Sequence, residues 1–395
     1  MRKTLSLLTC IGLLFVATNT QAQEPTEPYT IGTWHELDSK ILGEKRPYIV
    51  SIPHRYEEGT GKYVVIYVLD GDMHFQQTVG LVYYLRRTGQ IPPAMVVAVP
   101  NTDRTRDLTP KPSKPQGASP TEGGADNFLQ FIEEELVPEV DKNYRTTSHR
   151  VLIGHSLGGR FALHSFVNKP DLFDGYIAIS PSAQWDDQSI VGEFESFLEG
   201  RPALNKSLYL TSGNEGGGLT GGVLKLGGVM KQHRPEGFEW DMSIMDDEGH
   251  GPVVSPSTLY GLRFVFKSWL LSDAVALYDK SGIEGYRSFF GEAEKKYGID
   301  RKMVARNLFK LAWDLLGAGR LVDALTVAEY DVAEFAPPEK VYSYFGMKFL
   351  EEGDKDRAKH CYIEAYKAGD ETSVTRDALV SLGVDPETIV KPPQD

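Results

Sequence analysis

Residues 63–69, Tyr-Val-Val-Ile-Tyr-Val-Leu, form a run with no charged position, and this run constrains the fold of the 395-residue chain more than any other feature. A strand with one wet face alternates apolar and polar residues, whereas a continuously apolar strand must be covered on both faces. Short runs rich in apolar and β-branched residues recur at 48–52, 95–99, 151–153, 176–179, 208–211 and 240–245. Between them lie stretches with helical spacing, at Phe128, Phe131, Ile132 and Leu136 and again over 157–166. Strands alternating with helices predict an α/β fold with a mainly parallel sheet between helical layers. The segment 103–124 is rich in Pro, Thr, Gly and charge, and is expected to be a long surface loop near the strand ends.

Beyond residue 271 the strand pattern stops and a 34-residue repeat begins. Leu308, Leu311, Ala312, Leu315 and Leu316 recur as Tyr342, Phe345, Gly346, Phe349 and Leu350; Gly319 recurs as Gly353, and Ala324 and Ala328 recur as Ala358 and Tyr362. Each copy reads as helix, glycine turn, helix, and resembles the tetratricopeptide unit in its period and small residues. An ordinary pair of helical hairpins is the other reading. Two copies bury little alone, so docking on the preceding domain or on a helix over 283–297 is expected. At the other end, Arg2 and Lys3, the apolar run 5–16 and Thr20-Gln21-Ala22 read as an export signal. The run is short for a bilayer span. The expectation is a periplasmic or secreted protein with no membrane insertion after cleavage. Cleavage would remove Cys10 and leave Cys361 alone, so no internal disulfide is expected. The formal net charge of −13 would become more negative by two on losing Arg2 and Lys3. That balance argues against nucleic acid as a partner, because phosphate binding needs a basic footprint.

Gly154-His155-Ser156-Leu157-Gly158-Gly159 follows the apolar run 151–153 and opens a helical stretch. A Gly-x-Ser-x-Gly motif in that context makes a sharp strand-to-helix turn that exposes the serine above the sheet, so Ser156 is the candidate nucleophile. Its hydroxyl needs a histidine to take its proton. Of His164, His233, His250 and His360, His250 is chosen. It follows the last strand and is flanked by Gly249 and Gly251, as suits a loop at the sheet edge. The acid should end an intervening strand, which favours Glu215 after 208–211 and leaves Asp186 in reserve. The oxyanion donors expected are the amides of Leu157 and of Asp72, the latter in the turn Asp70-Gly71-Asp72.

Val68 to Asp72, Asn101 with Arg104 and Asp107 to Pro110, Gly154 to Gly159, Ser180-Pro181-Ser182 and His250 to Val253 together resemble the esterase D-like family of α/β-hydrolases, over roughly 29–270. That family includes enterobactin-type siderophore esterases, S-formylglutathione hydrolases and mycolyltransferases. The resemblance implies an α/β-hydrolase fold, a Ser-acid-His triad with no metal or other cofactor, and support for Glu215, although some siderophore esterases in the group work with a Ser-His dyad. Trp185 is expected as pocket wall or core. Asn101 and Arg104 are substrate-binding candidates, with an Arg104–Asp107 ion pair as the alternative for the arginine.

The organisation expected is a leader over 1–22, a catalytic α/β-hydrolase domain over 23–272 and an all-α tetratricopeptide-like region over 273–395. The function expected is hydrolysis of a small-molecule or carbohydrate ester through an acyl-enzyme on Ser156. A siderophore trilactone esterase and an acyltransferase using the same triad are the alternatives. The repeats are expected to serve protein docking or self-association.

Overall fold

The apolar run 63–69 becomes the strand Tyr63–Leu69, buried along its whole length in a single eight-stranded sheet. The computed structural model describes residues 29–54, 56–271, 273–299, 305–330 and 337–391; the expected leader, 1–22, lies outside them. The strands are β1 (Thr33–Ser39), β2 (Glu44–Ser51), β3 (Tyr63–Leu69), β4 (Ala94–Val99), β5 (Thr146–His155), β6 (Gly175–Ile179), β7 (Ser207–Gly213) and β8 (Glu239–Met245). Their order across the sheet is β1-β2-β4-β3-β5-β6-β7-β8. β1, β2 and β4 pair antiparallel, and every pairing from β4 through β8 is parallel. This is the mainly parallel α/β-hydrolase arrangement. Because β3 and β5 to β8 run in one direction, their C-terminal ends share one rim, where α/β sheets place their chemistry.

The helices of the sheet region are α1 (Gly71–Arg87), α2 (Arg104–Leu108), α3 (Ala125–Phe131), α4 (Val137–Asn143), α5 (Leu157–Asn168), α6 (Trp185–Leu198), α7 (Gly217–Gln232) and α8 (Val254–Val265). A π-turn over Ile132–Leu136 joins α3 to α4. Two apolar layers result. One, between the sheet and α3 to α7, holds Phe128, Phe161, Phe166 and Phe194; the other lies under α1 and α8.

Helices α9 (Ala274–Tyr297), α10 (Ala305–Gly317), α11 (Leu321–Tyr330), α12 (Pro338–Glu352), α13 (Lys355–Lys367) and α14 (Ser373–Ser381) complete the described chain. Gly319 and Gly353, at φ +73° and +82°, follow the first helix of each hairpin. A left-handed residue there lets the chain turn without the Cβ penalty that other residues carry. Gly346 lets α12 meet α13 closely, since a Cβ would stand 3.0 Å from the Tyr362 ring. The helical region is seated through α9. Tyr297 meets the edge of His149 at 4.8 Å and Phe266 at 5.6 Å, its hydroxyl bonds Ser268 at 2.9 Å, and Trp269 packs on Phe290. One continuous apolar cluster therefore runs from Val151 and Ile177 through Trp269 and Phe290 to Leu311 and Phe345. Among the described residues no helix is long and apolar enough to cross a membrane.

Candidate active site

Three non-glycine residues at the rim adopt left-handed φ: Asp70 (+53°) after β3, Ser156 (+59°) after β5 and Ser180 (+39°) after β6. Each such residue costs roughly 1–3 kcal/mol, and such strain gathers at functional sites. Around Ser156 the glycines make the turn possible. A Cβ on Gly154 would lie 2.1 Å from the Gly158 carbonyl oxygen, and one on Gly159 would lie 2.9 Å from that of Ile179. Ser156 itself is anchored by its amide, which donates to the Ile179 carbonyl at 3.0 Å, and its carbonyl accepts from the Ser182 amide at 2.9 Å.

His250 and Glu215 converge on the same rim. The imidazole Nδ1 of His250 lies 3.2 Å from Glu215 Oε1. This is ion-pair distance with an approach too oblique for a hydrogen bond, and Nδ1 and Glu215 Oε2 are buried without other hydrogen bonds. The Glu215 side chain is 3% exposed. Its Oε1 accepts from the Ser180 hydroxyl at 2.6 Å and the Gly213 amide at 3.3 Å. The acid loop is tied to the histidine loop by the Asn214 amide, which donates to the Glu248 carbonyl at 2.7 Å. A Cβ on Gly213 would stand 2.6 Å from that same oxygen, so the two loops meet only because residue 213 has no side chain. The His250 ring lies 4.5 Å from that of His155, the residue before Ser156. Ser156 Oγ pairs with Ser182 Oγ at 3.3 Å and makes no hydrogen bond to His250 in this state. Catalytic hydrogen bonds are often long before substrate binds.

The other histidines considered lie elsewhere. His164 Nε2 meets Asp126 at 2.8 Å, His233 faces Glu195, and His360 faces Glu329. Asp186 is spent on the long loop, accepting from the Ser113 hydroxyl at 2.6 Å and amide at 2.9 Å, and those bonds hold its carboxyl below the usual carboxylate range.

Asp72 and Leu157 sit in the first turns of α1 and α5, where a helix leaves its N–H groups free of intrahelical partners. The two helix starts are neighbours: a Cβ on Gly158 would lie 3.1 Å from the Asp70 carboxylate. The positive dipole end of α5 thus begins at the serine, and that of α1 starts beside the same helix.

The Arg104–Asp107 pairing considered from sequence is not formed. Arg104 makes a two-pronged bond to buried Asp70, Nε to Oδ1 at 2.6 Å and Nη2 to Oδ2 at 3.0 Å, and Nη2 also reaches the His155 carbonyl at 3.4 Å. Asn101 Nδ2 donates to Asp70 at 2.8 Å and Asp72 at 3.2 Å. Both residues thus brace the Asp70 turn, because its buried carboxylate needs partners. Asp107 instead pairs with Arg46 at 2.6 Å and Arg106 at 2.7 Å. Glu44 joins this cluster, and its hydrogen bond from Arg106 is the chief cause of a carboxyl pKa lowered to about 2. Trp185 is 7% exposed, a core position at the start of α6.

Sequence reasoning passed over His74 and Arg46, and gave no role of their own to His155 inside the nucleophile motif or to Ser180 in Ser180-Pro181-Ser182. His74 lies edge-on to His155 at 5.6 Å. Burial, the largest cause, and then the neighbouring His250 and His74 push the His155 imidazole down to about 4. Burial lowers His74 as well. The signal available was the position of His155 inside the motif and of Ser180 just after β6.

The sequence model of the family described as "Putative esterase" matches residues 39–214. The chain is 38% identical over 154 residues to the ferri-bacillibactin esterase BesA of Bacillus subtilis, covering 34% of this chain and 53% of that one. It is 38% identical over 191 residues to the siderophore enterobactin esterase of Emericella nidulans, covering 41% and 62%. These matches span between half and two thirds of the relatives' length. The crystal structure of the BES protein from Bacillus cereus superposes with a TM-score of 0.54 at 30% identity, over 62% of this chain and 99% of that one. On these matches the chain belongs to the esterase family so described.

Proposed function

We propose that the protein is an exported serine esterase that hydrolyses carboxylic esters through an acyl-enzyme on Ser156. The observation that carries this reading is the meeting of three separate strand ends: the strained Ser156, the His250 imidazole 4.5 Å from the ring of the adjoining His155, and the buried Glu215 carboxylate 3.2 Å from Nδ1. Ser156 Oγ attacks the ester carbonyl carbon while its proton passes to His250 Nε2, the nitrogen opposite the carboxylate. The amides of Leu157 and Asp72 receive the oxyanion. Collapse breaks the C–O bond, and the leaving alkoxide takes the proton from His250. Water, deprotonated by the same imidazole, then cleaves the acyl–serine bond and frees the acid.

The relatives named as esterases of bacillibactin and enterobactin favour a siderophore ester as the natural substrate class. The leader over 1–22 and the helical hairpins enter the proposal as export signal and docking surface. The experiment is turnover of p-nitrophenyl acetate and of a catecholate trilactone by the mature chain and by Ser156→Ala. Both substrates should yield free acid with the wild type and none above background with the variant. Unchanged turnover by Ser156→Ala would reject the nucleophile, and aryl acetate cleavage with an intact trilactone would reject the substrate class.

A further inference from the structure

The residue inside the nucleophile motif has a partner that the triad does not use. His155 ends β5, is 8% exposed, and packs among Val68, His74, Thr78, Val254 and Thr258. Its Nε2 lies 2.8 Å from the backbone carbonyl oxygen of His250. A carbonyl only accepts, so Nε2 carries the proton and donates. The two ring centroids also lie 4.5 Å apart, with the planes tilted by 44°.

Gly249 and Gly251 flank the histidine; a Cβ at either would find essentially open space, and their carbonyls accept from the Val253 and Val254 amides at 3.1 and 3.3 Å, which ties the loop to the start of α8 but not to the sheet. The His250 side chain is 40% exposed. The bond from Asn214 holds the loop two residues earlier, at Glu248. Among the described residues, the bond from His155 alone joins the His250 peptide itself to the central sheet, at the residue adjoining the nucleophile. Fixing that carbonyl fixes the Cα from which the imidazole swings between Glu215 and Ser156.

We propose that His155 is a positioning residue, which holds the His250 loop in register with Ser156 through its Nε2–H bond to the His250 carbonyl. The inference rests on the esterase reading above. Burial keeps His155 neutral, so it places no second positive charge beside the imidazolium that forms during turnover.

The test compares His155→Gln, whose amide nitrogen reaches where Nε2 stands, with His155→Asn, whose amide falls short, and His155→Phe, which keeps a ring without a donor. With p-nitrophenyl acetate, a misplacement on the order of 1 Å predicts a fall in kcat of about 100-fold for Asn and Phe, with little change in KM. Gln should restore most of the rate. Labelling of Ser156 by diisopropyl fluorophosphate should slow in step with kcat, since it reports on the same activated hydroxyl. If the Phe variant does not fold, the Gln and Asn pair decides. Equal kcat for Gln and Asn, or a change confined to KM, overturns the inference and leaves the esterase reading intact. Full turnover by Ser156→Ala overturns the reading on which it rests.

Discussion

Replacing Glu215 should lower turnover by two to three orders of magnitude while leaving the fold intact. The carboxylate stands 3.2 Å from His250 Nδ1. Opposite unit charges at that separation attract by roughly 5 kcal/mol under an effective dielectric of about 20. The pair exists only while the imidazole is charged, so it favours the transition state over the resting enzyme. Solvent reaches 40% of the imidazole. Screening therefore reduces the effect to roughly 3–4 kcal/mol. Divided by 1.36 kcal/mol per decade, that is a loss of about 10²–10³ in kcat. Glu215→Gln keeps an acceptor for Ser180 and Gly213 and removes only the charge, so its circular dichroism and Tm should match the wild type. Asp186→Asn is the comparison: its bonds go to Ser113, and its kcat should be unchanged. The assay is steady-state hydrolysis of p-nitrophenyl acetate at pH 8. A Glu215→Gln enzyme within a few-fold of wild type, or a crippled Asp186→Asn enzyme, would refute the assignment of the acid.

Other consequences concern stability. Burial, as the largest cause, holds His149 and His155 down to about 4, so both stay neutral in the fold and take up a proton on unfolding. The unfolded chain binds more protons between about pH 6.5 and 4, so stability should fall as pH drops through that window, by roughly 3 kcal/mol per imidazole at most. Thermal melts at pH 7 and pH 5 test this; a Tm that does not fall at pH 5 would contradict it. Asp107→Ala removes one of the two carboxylates on buried Arg46 and leaves Glu44 at 2.9 Å, so it should cost about 1.5–3 kcal/mol in urea unfolding; a loss below 1 kcal/mol would contradict the pairing. Truncation after residue 272 would strip α9 from Phe266 and Trp269, and the shortened protein should aggregate or melt much earlier; a soluble fragment with wild-type Tm would show that the helical region is not part of the core.

The sheet was legible because its strands are apolar throughout, as in 63–69, and because helical spacing separates them. The helical hairpins were legible from the spacing of residues such as Leu311 and Phe345. β1 escaped because it is an edge strand whose Trp34 and Glu36 face solvent, so its pattern resembles a loop. The helix after Asp70 escaped because a tight turn and a helix start look alike in Asp-Gly-Asp; the left-handed Asp70 is what launches it. Ser156 stood out because its glycines answer a local steric demand. Glu215 could be named from its place after a strand, whereas the partner of Arg104 could not. Asp70 and Asp107 both carry the right charge, and only the adjacency of β3 and β4 brings Asp70 within reach. His155 was hidden for the same reason: its role depends on a carbonyl 95 residues away.

The convergence of Ser156, Glu215 and His250 is tested most directly by covalent capture. Wild-type protein would be incubated with a fluorophosphonate ester, digested and mapped by mass spectrometry, beside His250→Ala and Glu215→Ala. The phosphonate should be found on Ser156 in the wild type and be nearly absent from the His250→Ala protein, with slow labelling of Glu215→Ala. Modification of another residue, or equal labelling of Ser156 in all three proteins, would contradict a serine activated by that histidine and that carboxylate.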